Sequence, residues 1–531
     1  MRKNLLLTTL AVLTVCSQVS AQQLLGIANS NFAGTNGLFI NPSFVSDSRH
    51  GFTLNLFTAD IHASNTYMRY NGATSIYKML KNDSEIEESY LEEKFNGKSK
   101  LFTSSVDFRG PAFMLTMSPK HSFGITTRVK GALQGNNISE NVAKLIKTAD
   151  SEDILNKFND GNQFSLNGNV NAELGLTYGR VLYNTDKHVL KGGITLKRVT
   201  GIYSSYFVNE GSRYKVTERT DANAEYYKVL EIENVNARYG YLTTDLIQDI
   251  EASDVMRWLT MGKAPGKGWG MDLGFTYEFR PEVEQYKYKV DSTLYLDNQK
   301  NKYKYRLGVS LMDVGGVKYK SKYARSLDIS RQNVELAPRD LEEAENTPEY
   351  AAVLNRAFGI QPTDIKNSFR SGLPTALNIN LDTKVRGRFY VNTTLIQSLR
   401  GKGAAAMRQN SLVAVIPRFE FKWLELALPL SVQNNYRVFS AGAMVKMGPF
   451  FIGSDNIGGA FNIGKPYGAN VYSGVSLLAI NRARKKEPKA KKIKTQTTTP
   501  SVVPVPASVP AVPDSTAPAK PPVPAPNPVK E

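Results

Sequence analysis

The sequence predicts an all-β protein: a transmembrane antiparallel β-barrel of about fourteen strands, with helical loop insertions and a disordered C-terminal tail. Residues 269–279 and 303–311 alternate between apolar and polar side chains, the period-two pattern of a strand with one apolar face. These runs approach the ~9–11 residues that a bilayer-crossing strand needs. Outside the N-terminus, the sequence has no apolar run long enough for a membrane-spanning helix, which excludes a helical membrane protein.

The first 21 residues have the pattern of an export signal. Arg2 and Lys3 precede an apolar run over 5–15, and small residues at 19–21 predict cleavage between Ala21 and Gln22. The only cysteine, Cys16, lies in this segment, so the mature chain is expected to have neither disulfides nor cysteine metal sites. A lipoprotein signal ending at Cys16 is the less favoured alternative, because Val15 is large for the position before a lipidated cysteine.

Residues 22–480 are predicted to form the barrel. Strand patterns occur at 51–59, 112–117, 122–129, 163–182 and 188–207, and they are densest between 377 and 480. Four insertions have helical composition, at 76–95, 138–158, 243–261 and 340–358. They are read as loop helices over a barrel mouth, with a plug or a partner-docking platform as the alternative.

Residues 481–531 are predicted to be a basic and proline-rich periplasmic tail. The stretch 482–494 has eight basic residues and one acid, and eleven prolines follow between 500 and 531. Such a composition cannot bury a core and favours an extended, solvated chain. The tail is read either as a solubilising end or as a tether to peptidoglycan or a periplasmic protein.

Four motifs together resemble a known family: GWGMDLG at 268–274, RLGVSLMDVG at 306–315, LPTALN at 373–378 and GPFFIGSDN at 448–456. The chain resembles Bacteroidota outer-membrane proteins known only as a domain of unknown function. The resemblance implies kinship with fatty-acid-transporter-like barrels and with the type IX secretion shuttle barrel. Some relatives have a folded peptidoglycan-binding domain after the barrel, and this chain has its Lys- and Pro-rich tail there instead.

Charged residues on the polar phase of the predicted strands are the candidate lumen lining. They are Asp272, Glu278, Arg280, Lys304, Arg306, Asp382, Lys384, Arg418, Glu420 and Lys422. One reading is a hydrogen-bonded lining that fills or wets the interior. The other is a ligand path in which Arg and Lys attract an anionic head group. An apolar tunnel is disfavoured, because the polar phase of the best strands has few apolar side chains.

Catalytic and cofactor motifs are weak, so no enzyme, cofactor or metal is predicted. Ser75-x-x-Lys78 and Ser454-Asp455-Asn456 resemble motifs of penicillin-recognising enzymes, but no Lys-Thr-Gly follows them. The Ser454-Asp455-Asn456 segment is read as a turn. The four histidines lie too far apart in sequence for a helical zinc pair.

The net charge of +18 does not call for nucleic-acid binding, because much of it lies in the tail and the signal. The expected location is the outer membrane of a Gram-negative bacterium, with outer-membrane lipid around the barrel and the tail in the periplasm. The first functional hypothesis is a structural or interaction component whose tail engages periplasmic partners. The alternative is a passive transporter of small hydrophobic or amphipathic molecules.

Overall fold

The computed structural model describes residues 24–72, 88–147, 154–220, 226–243, 257, 264–342 and 344–481. The predicted signal peptide with its cleavage site between Ala21 and Gln22 lies outside this range, and so do residues 482–531 of the predicted tail. Within the described ranges, no helix is long and apolar enough to cross a membrane.

Fourteen antiparallel strands form one sheet that closes on itself, which confirms the predicted barrel. In chain order the strands are β1 (His50–Asn55 and Phe57–Asn65), β2 (Lys100–Arg109 and Ala112–Thr116), β3 (His121–Ile138), β4 (Phe164–Asn184), β5 (His188–Thr220), β6 (Tyr226–Leu242 and Gly266–Phe279), β7 (Tyr305–Lys320 and Ala324–Leu336), β8 (Ser368–Gly372 and Ala376–Arg386), β9 (Phe389–Ser398), β10 (Leu412–Glu420), β11 (Leu424–Ala427 and Leu430–Gln433), β12 (Val438–Ala441 and Ala443–Met447), β13 (Phe450–Ser454) and β14 (Gly468–Val475 and Leu478–Asn481).

The first and last strands close the ring. Phe52 of β1 pairs with Leu115 of β2 on one side and with Ile480 of β14 on the other. Every other strand pairs with its neighbours in sequence order, so the described sheet has no terminal strand. One end of the barrel has mostly short connections, such as residues 117–120 and 448–449, and is called the short-turn end. The opposite end is called the long-loop end.

The outward face of the wall is apolar because alternate residues of each strand point away from the lumen. Phe275 and Leu307 are exposed within this band. Trp269 and Trp423 are 70% and 66% exposed, Trp269 near the long-loop end and Trp423 in a turn at the short-turn end. Aromatic residues at both rims of an apolar band are typical of a barrel that crosses a bilayer.

The strands β5, β6 and β7 continue past this band at the long-loop end. Residues 205–220 of β5 pair with the first part of β6, which pairs in turn with the second part of β7. Helices α2 (Glu140–Lys147), α3 (Pro338–Glu342) and α4 (Thr347–Ala357) lie here. Val142 of α2 and Ala351 of α4 belong to one buried apolar cluster together with strand residues of this extension. This cluster is the largest apolar core among the described residues.

A plug, defined here as residues 24–49, precedes the first strand. It consists of helix α1 (Leu25–Ala28) and two 3-10 helices, Gly34–Phe39 and Pro42–Val45. The side chain of Asn41 caps the second 3-10 helix by accepting a hydrogen bond from the N–H of Ser43, and Pro42 follows at its first position. Most of these residues are buried, although no strand or helix pattern is predicted before residue 51.

The remaining short elements lie in the connections. Helix α5 is Ile457–Phe461, and three 3-10 helices are Glu88–Tyr90, Val283–Tyr286 and Pro362–Asp364. The other short strands are Met68–Tyr70, Leu91–Glu93, Phe158–Asn159, Lys287–Val290 and Thr293–Leu296.

The four predicted helical insertions have different outcomes. Helix α2 lies in the insertion at 138–158, and α3 and α4 overlap that at 340–358. The insertion at 243–261 lies outside the described residues apart from 243 and 257. Of the insertion at 76–95, the described part is a 3-10 turn and a short strand rather than an α-helix, because it pairs with residues 68–70.

Candidate functional site

Polar contacts seat the plug against strands β5 to β8. The amide of Asn41 donates to the carbonyl of Phe275 at 3.1 Å, and the hydroxyls of Ser43 and Thr276 lie 2.6 Å apart. The Ile40 carbonyl accepts hydrogen bonds from the Ser310 hydroxyl at 2.6 Å and the Asn378 amide at 3.1 Å. A segment without regular sheet pairing is stable inside a barrel only if its backbone groups find such partners.

Glycines in the wall make room for the plug. A Cβ atom on Gly193 would lie 2.5 Å from backbone atoms of Pro42, and one on Gly274 would lie 2.1 Å from the Asn41 side chain. Because backbone cannot yield as a flexible side-chain tip can, any larger residue at Gly193 would displace this part of the plug.

A charged network fills the lumen beside the plug, toward the short-turn end. Arg418 donates to both carboxylate oxygens of Asp382, at 2.7 and 2.6 Å, and to Glu420 at 2.9 Å. The Tyr303 hydroxyl donates to Asp382 at 2.6 Å, and Arg306 also reaches this carboxylate, at 3.3 Å. Charges buried in this way are stable only when they are paired and hydrogen-bonded.

A second cluster joins the wall to the end of the plug. Lys191 reaches Glu278 at 2.5 Å, and Arg280 donates to Glu278 at 2.9 Å and to Asp47 of the plug at 2.7 Å. All four side chains are nearly enclosed. The plug is thus held by an ion pair as well as by neutral hydrogen bonds.

Two further clusters lie across the lumen. Asp107 accepts hydrogen bonds from Arg109 at 2.9 Å and from Arg128 at 2.7 Å, and the Arg109 guanidinium lies 4.4 Å from the ring of Phe39 in the plug. Asp272 forms an ion pair with Lys197 at 2.8 Å. These clusters stiffen the interior but leave it polar.

The structure brings most of the predicted lining residues into the lumen and leaves others at its rim. The buried or mostly buried ones are Asp272, Glu278, Arg280, Arg306, Asp382, Arg418 and Glu420. Lys304 and Lys384 are half-buried near the short-turn end, where Lys304 donates to the carbonyl of Val385 and Lys384 to the hydroxyl of Tyr286. Lys422 is exposed in the turn that follows β10.

Another part of the lumen is apolar, which the sequence analysis did not expect. Leu24, Leu25 and Ile27 at the start of the plug are 0–1% exposed. They belong to one buried cluster with inward-facing residues of β8 to β14, namely Ala376, Ile396, Leu412, Ala414, Ile416, Ala427, Met444, Phe451 and Tyr472. We call this region the apolar pocket. Helix α1 fills it.

The wall is interrupted beside the apolar pocket. The strand β13 ends at Ser454, which pairs with Ala443 of β12, and Gly453 pairs with Tyr472 of β14. Beyond this level, residues 438–441 and 468–471 have no strand between them in the described chain. Four residues at ~3.4 Å each make this wall gap about 14 Å long.

Residues 455–467, including α5, occupy the wall gap. Here side chains satisfy backbone groups that a strand would otherwise pair: Asn456 donates to the carbonyl of Gly468 at 2.8 Å, and Asn470 accepts from the N–H of Asp455 at 2.7 Å. Phe461 and Ile463 point outward and are 61% and 65% exposed. This closure depends on a few side chains rather than on a continuous strand ladder.

Asp455 connects the wall gap to the plug. Its carboxylate is fully buried and accepts a hydrogen bond from the N–H of Leu25 at 3.0 Å, at the start of α1. The N–H of Gly26 donates to the Tyr472 hydroxyl at 3.2 Å. Sequence reasoning placed Asp455 in a turn and did not find this contact, because its partner is 430 residues away.

Cavities remain on both sides of the plug. One of about 80 Å³ lies between the plug and the short-turn end, beside Lys191, Glu278 and Arg306. Two of about 20 Å³ each share Lys130 and Gln409 in their linings. The loop 399–411 covers the latter, because Arg408 bonds through its backbone to Gln134 of β3. The described lumen is therefore closed by the plug and by this loop.

The histidines lie apart from one another. His62 is buried and contacts Ser64, whereas His121 and His188 each bond a tyrosine hydroxyl near the short-turn end. Over the described ranges, no group of three His, Cys, Asp or Glu side chains could hold a metal ion.

Comparison with known proteins assigns this chain to a family. The model of a "Family of unknown function (DUF5723)" matches residues 42–455, which is more than half of the chain. The chain belongs to this family. It is a β-barrel whose family match begins within the plug and ends at Asp455. A search of curated proteins found no match.

Several solved structures are similar to this DUF5723 chain. A FadL homologue of Pseudomonas aeruginosa is 10% identical, with 86% of this chain and 96% of that chain covered and a TM-score of 0.33. The toluene transporter TbuX of Ralstonia pickettii is 10% identical, with 84% and 92% covered and a TM-score of 0.32. The toluene transporter TodX of Pseudomonas putida is 9% identical, with 87% and 96% covered and a TM-score of 0.30.

Proposed function

We propose that this DUF5723 protein is a gated outer-membrane passage for small hydrophobic or amphipathic molecules. The observation that carries the proposal is the position of the apolar pocket directly behind the wall gap. A molecule in the pocket would be separated from the surrounding lipid by residues 455–467 instead of by a full strand. The plug would have to leave the pocket before such a molecule could occupy it.

The plug helix occupies the place that the transported molecule would take. Leu24, Leu25 and Ile27 are buried there, and burial of a side chain of this size contributes about 1.5–3 kcal/mol. Displacing all three would therefore cost on the order of 5–9 kcal/mol if the pocket filled with water. An apolar ligand offsets that cost by covering the same surface, and a polar solute does not. This difference favours apolar cargo.

The polar seating of the rest of the plug favours movement over permanent packing. Ser43, Asn41 and Asp47 hold it through hydrogen bonds and an ion pair, which water can replace when the plug shifts. In this proposal the plug is a gate whose apolar start competes with cargo and whose polar remainder sets its resting position.

A disulfide lock tests the proposal. The hydroxyl oxygens of Ser43 and Thr276 are 2.6 Å apart, close to the ~2.05 Å of a disulfide, so Ser43→Cys with Thr276→Cys would fix the plug to β6. The matched control is Thr177→Cys with Thr195→Cys, whose hydroxyls are 2.8 Å apart on β4 and β5 and do not involve the plug. Both variants place one cross-link in the same lumen.

The measurement is uptake of the hydrophobic dye N-phenylnaphthylamine by intact cells, whose lipopolysaccharide leaflet excludes it. Expression of the wild-type protein should speed uptake. The oxidised plug lock should return uptake to the vector level, dithiothreitol should restore it, and the wall control should behave as wild type under both conditions. Uptake by the oxidised lock at the wild-type rate would refute a moving plug, and no uptake by the wild type would refute the passage.

The filled lumen favours a second candidate function, a structural or interaction component of the envelope. The charge clusters around Asp107 and Asp382 brace the interior without leaving an open channel in the described residues. The proposed tail contact with peptidoglycan or a periplasmic protein stays a prediction, since residues 482–531 lie outside the described range. Equal dye uptake in vector and wild-type cells, with partners that co-purify only when residues 482–531 are present, would support it.

A further inference from the structure

A row of cations on the outside of the wall is not explained by the lumen or by the plug. Lys267 of β6 pairs in register with Lys318 of β7, and Lys318 pairs with Arg370 of β8. All three side chains are exposed on the outward face of three neighbouring strands. We call these residues the cation row. Directly opposed residues on adjacent strands have Cβ atoms only about 4.5–5.5 Å apart, so like charges there repel one another.

The cation row lacks a counter-charge among the residues that the structure describes. Among the described residues, none of the three forms an ion pair with a carboxylate. Other exposed cations lie nearby: Lys320 follows two residues after Lys318 on the same strand. An anion bound against the row would offset the repulsion among these three charges.

The wall behind the cation row is rigid. Tyr319 and Phe369, the inward neighbours of Lys318 and Arg370, stack with ring centroids 4.8 Å apart. Both are buried in one apolar cluster with Val317. The outward side chains therefore start from fixed backbone positions and present their charges together, which reduces the ordering needed to bind a ligand.

The position of the cation row along the barrel axis identifies the lipid groups that it faces. It lies one step beyond Trp269, which marks the rim of the apolar band at the long-loop end. Aromatic residues of this kind lie at the level of lipid head groups. Barrels of this class usually have their longer loops outside the cell and their shorter turns in the periplasm. The cation row then faces the head groups of the outer leaflet.

We propose that the cation row binds the phosphate groups of the outer-leaflet glycolipid, lipid A. Arg370 can donate two parallel hydrogen bonds to a phosphate, and Lys267 and Lys318 provide compact charges beside it. The indole of Trp269 lies below the row, where it can pack against the start of the acyl chains. The site is on the outside of the barrel, so it would hold annular lipid and not transported cargo.

Native mass spectrometry of the full-length protein in detergent tests this proposal. The probes are bis-phosphorylated lipid A, its monophosphoryl form and phosphatidylglycerol, each added separately. The test variant is Lys267→Gln with Lys318→Gln and Arg370→Gln. The control removes three exposed cations at the short-turn end: Arg180→Gln, Arg386→Gln and Lys422→Gln. Both variants lose three positive charges, and heat-modifiable mobility in gels checks that each barrel is folded.

Bis-phosphorylated lipid A should bind the wild type and the control equally and should bind the test variant at least tenfold more weakly. The monophosphoryl form should bind the wild type more weakly than the bis-phosphorylated form. Replacing both lysines by arginine should preserve binding, because the charge row remains. Unchanged lipid A binding by the folded test variant would overturn the proposal. Equal binding of phosphatidylglycerol and lipid A to the wild type would also overturn it, because the row would then be a general anionic surface.

Discussion

Asp382 on β8 accepts two hydrogen bonds from the guanidinium of Arg418 on β10, and both residues are buried. The two strands are separated by β9, so this pair crosses over one strand on the inside of the wall. Tyr303 and Arg306 approach the same carboxylate. The Asp382 carboxylate therefore connects β7, β8, β10 and the segment before β7.

Removing one member of this pair should be costly. Arg418→Met leaves the buried Asp382 carboxylate with weaker partners, and we expect a loss of about 3–5 kcal/mol in the free energy of unfolding. Urea titration followed by the heat-modifiable band of the folded barrel measures this. The double variant Arg418→Met with Asp382→Asn should lose less than the single variant, because a neutral amide then replaces the buried carboxylate that lost its main partner. A double variant that is less stable than Arg418→Met would contradict the interpretation.

Enlarging Gly193 should dislodge the plug. Gly193→Val places a branched side chain against the backbone of Pro42, and overpacking of this kind typically costs about 1–3 kcal/mol. We expect faster dye uptake and greater sensitivity of cells to vancomycin, which the intact outer membrane excludes. Gly211→Val is the control, because nothing lies within 4 Å of a Cβ at Gly211. Equal effects of the two substitutions would argue against a specific clash with the plug.

Asp455→Ala should release the start of the plug from the wall gap. The N–H of Leu25 loses its buried acceptor, which costs about 1–3 kcal/mol when no water replaces it. Dye uptake should rise while the unfolding midpoint of the barrel changes little, because the wall pairing stays intact. Asp328→Ala is a suitable control, since its exposed ion pair with Lys366 contributes at most about 1 kcal/mol. Slower uptake by Asp455→Ala would refute the assigned role.

The two exposed tryptophans should report opposite rims of the apolar band. Trp258, the third tryptophan of the chain, is replaced by Phe, and Trp269 and Trp423 are then studied one at a time. In vesicles with spin-labelled lipids, we expect each to be quenched more by a label near the head group than by one near the chain end. Stronger quenching at the chain end for either residue would shift the assigned band.

The wall was predictable from sequence because lipid imposes one-sided alternation on each strand. The runs around Trp269 and Leu307 show it without any tertiary information. The plug was not predictable from sequence, because its Gly- and Asn-rich segment has no periodicity. Its partners, such as Phe275 and Asp455, also lie hundreds of residues away in the chain. A local sequence pattern does not predict contacts between residues that are so far apart in the chain.

The residues that line the lumen were predictable only where they are polar, because the prediction took the interior of the barrel to be polar. Arg418 and Glu420 on β10 were found by alternation, whereas Leu412 and Ile416 on the same inward face were missed. Both faces of β10 are apolar near the long-loop end, so alternation disappears there. Lys422 continues the period of β10 but lies beyond its end at Glu420, where side-chain direction no longer follows the strand.

The length of β5 has a consequence for what meets this protein from outside. Its 33 residues at ~3.4 Å each, tilted by ~45°, rise about 80 Å, whereas the hydrocarbon core of a bilayer is about 30 Å thick. More than half of the strand therefore lies outside the hydrocarbon core. In the orientation proposed above, with the long loops outside the cell, the sheet of β5, β6 and β7 would project into the sugar layer of the cell surface. Antibodies or phages would then contact this extension of β5, β6 and β7 before they reached the membrane-spanning part of the barrel.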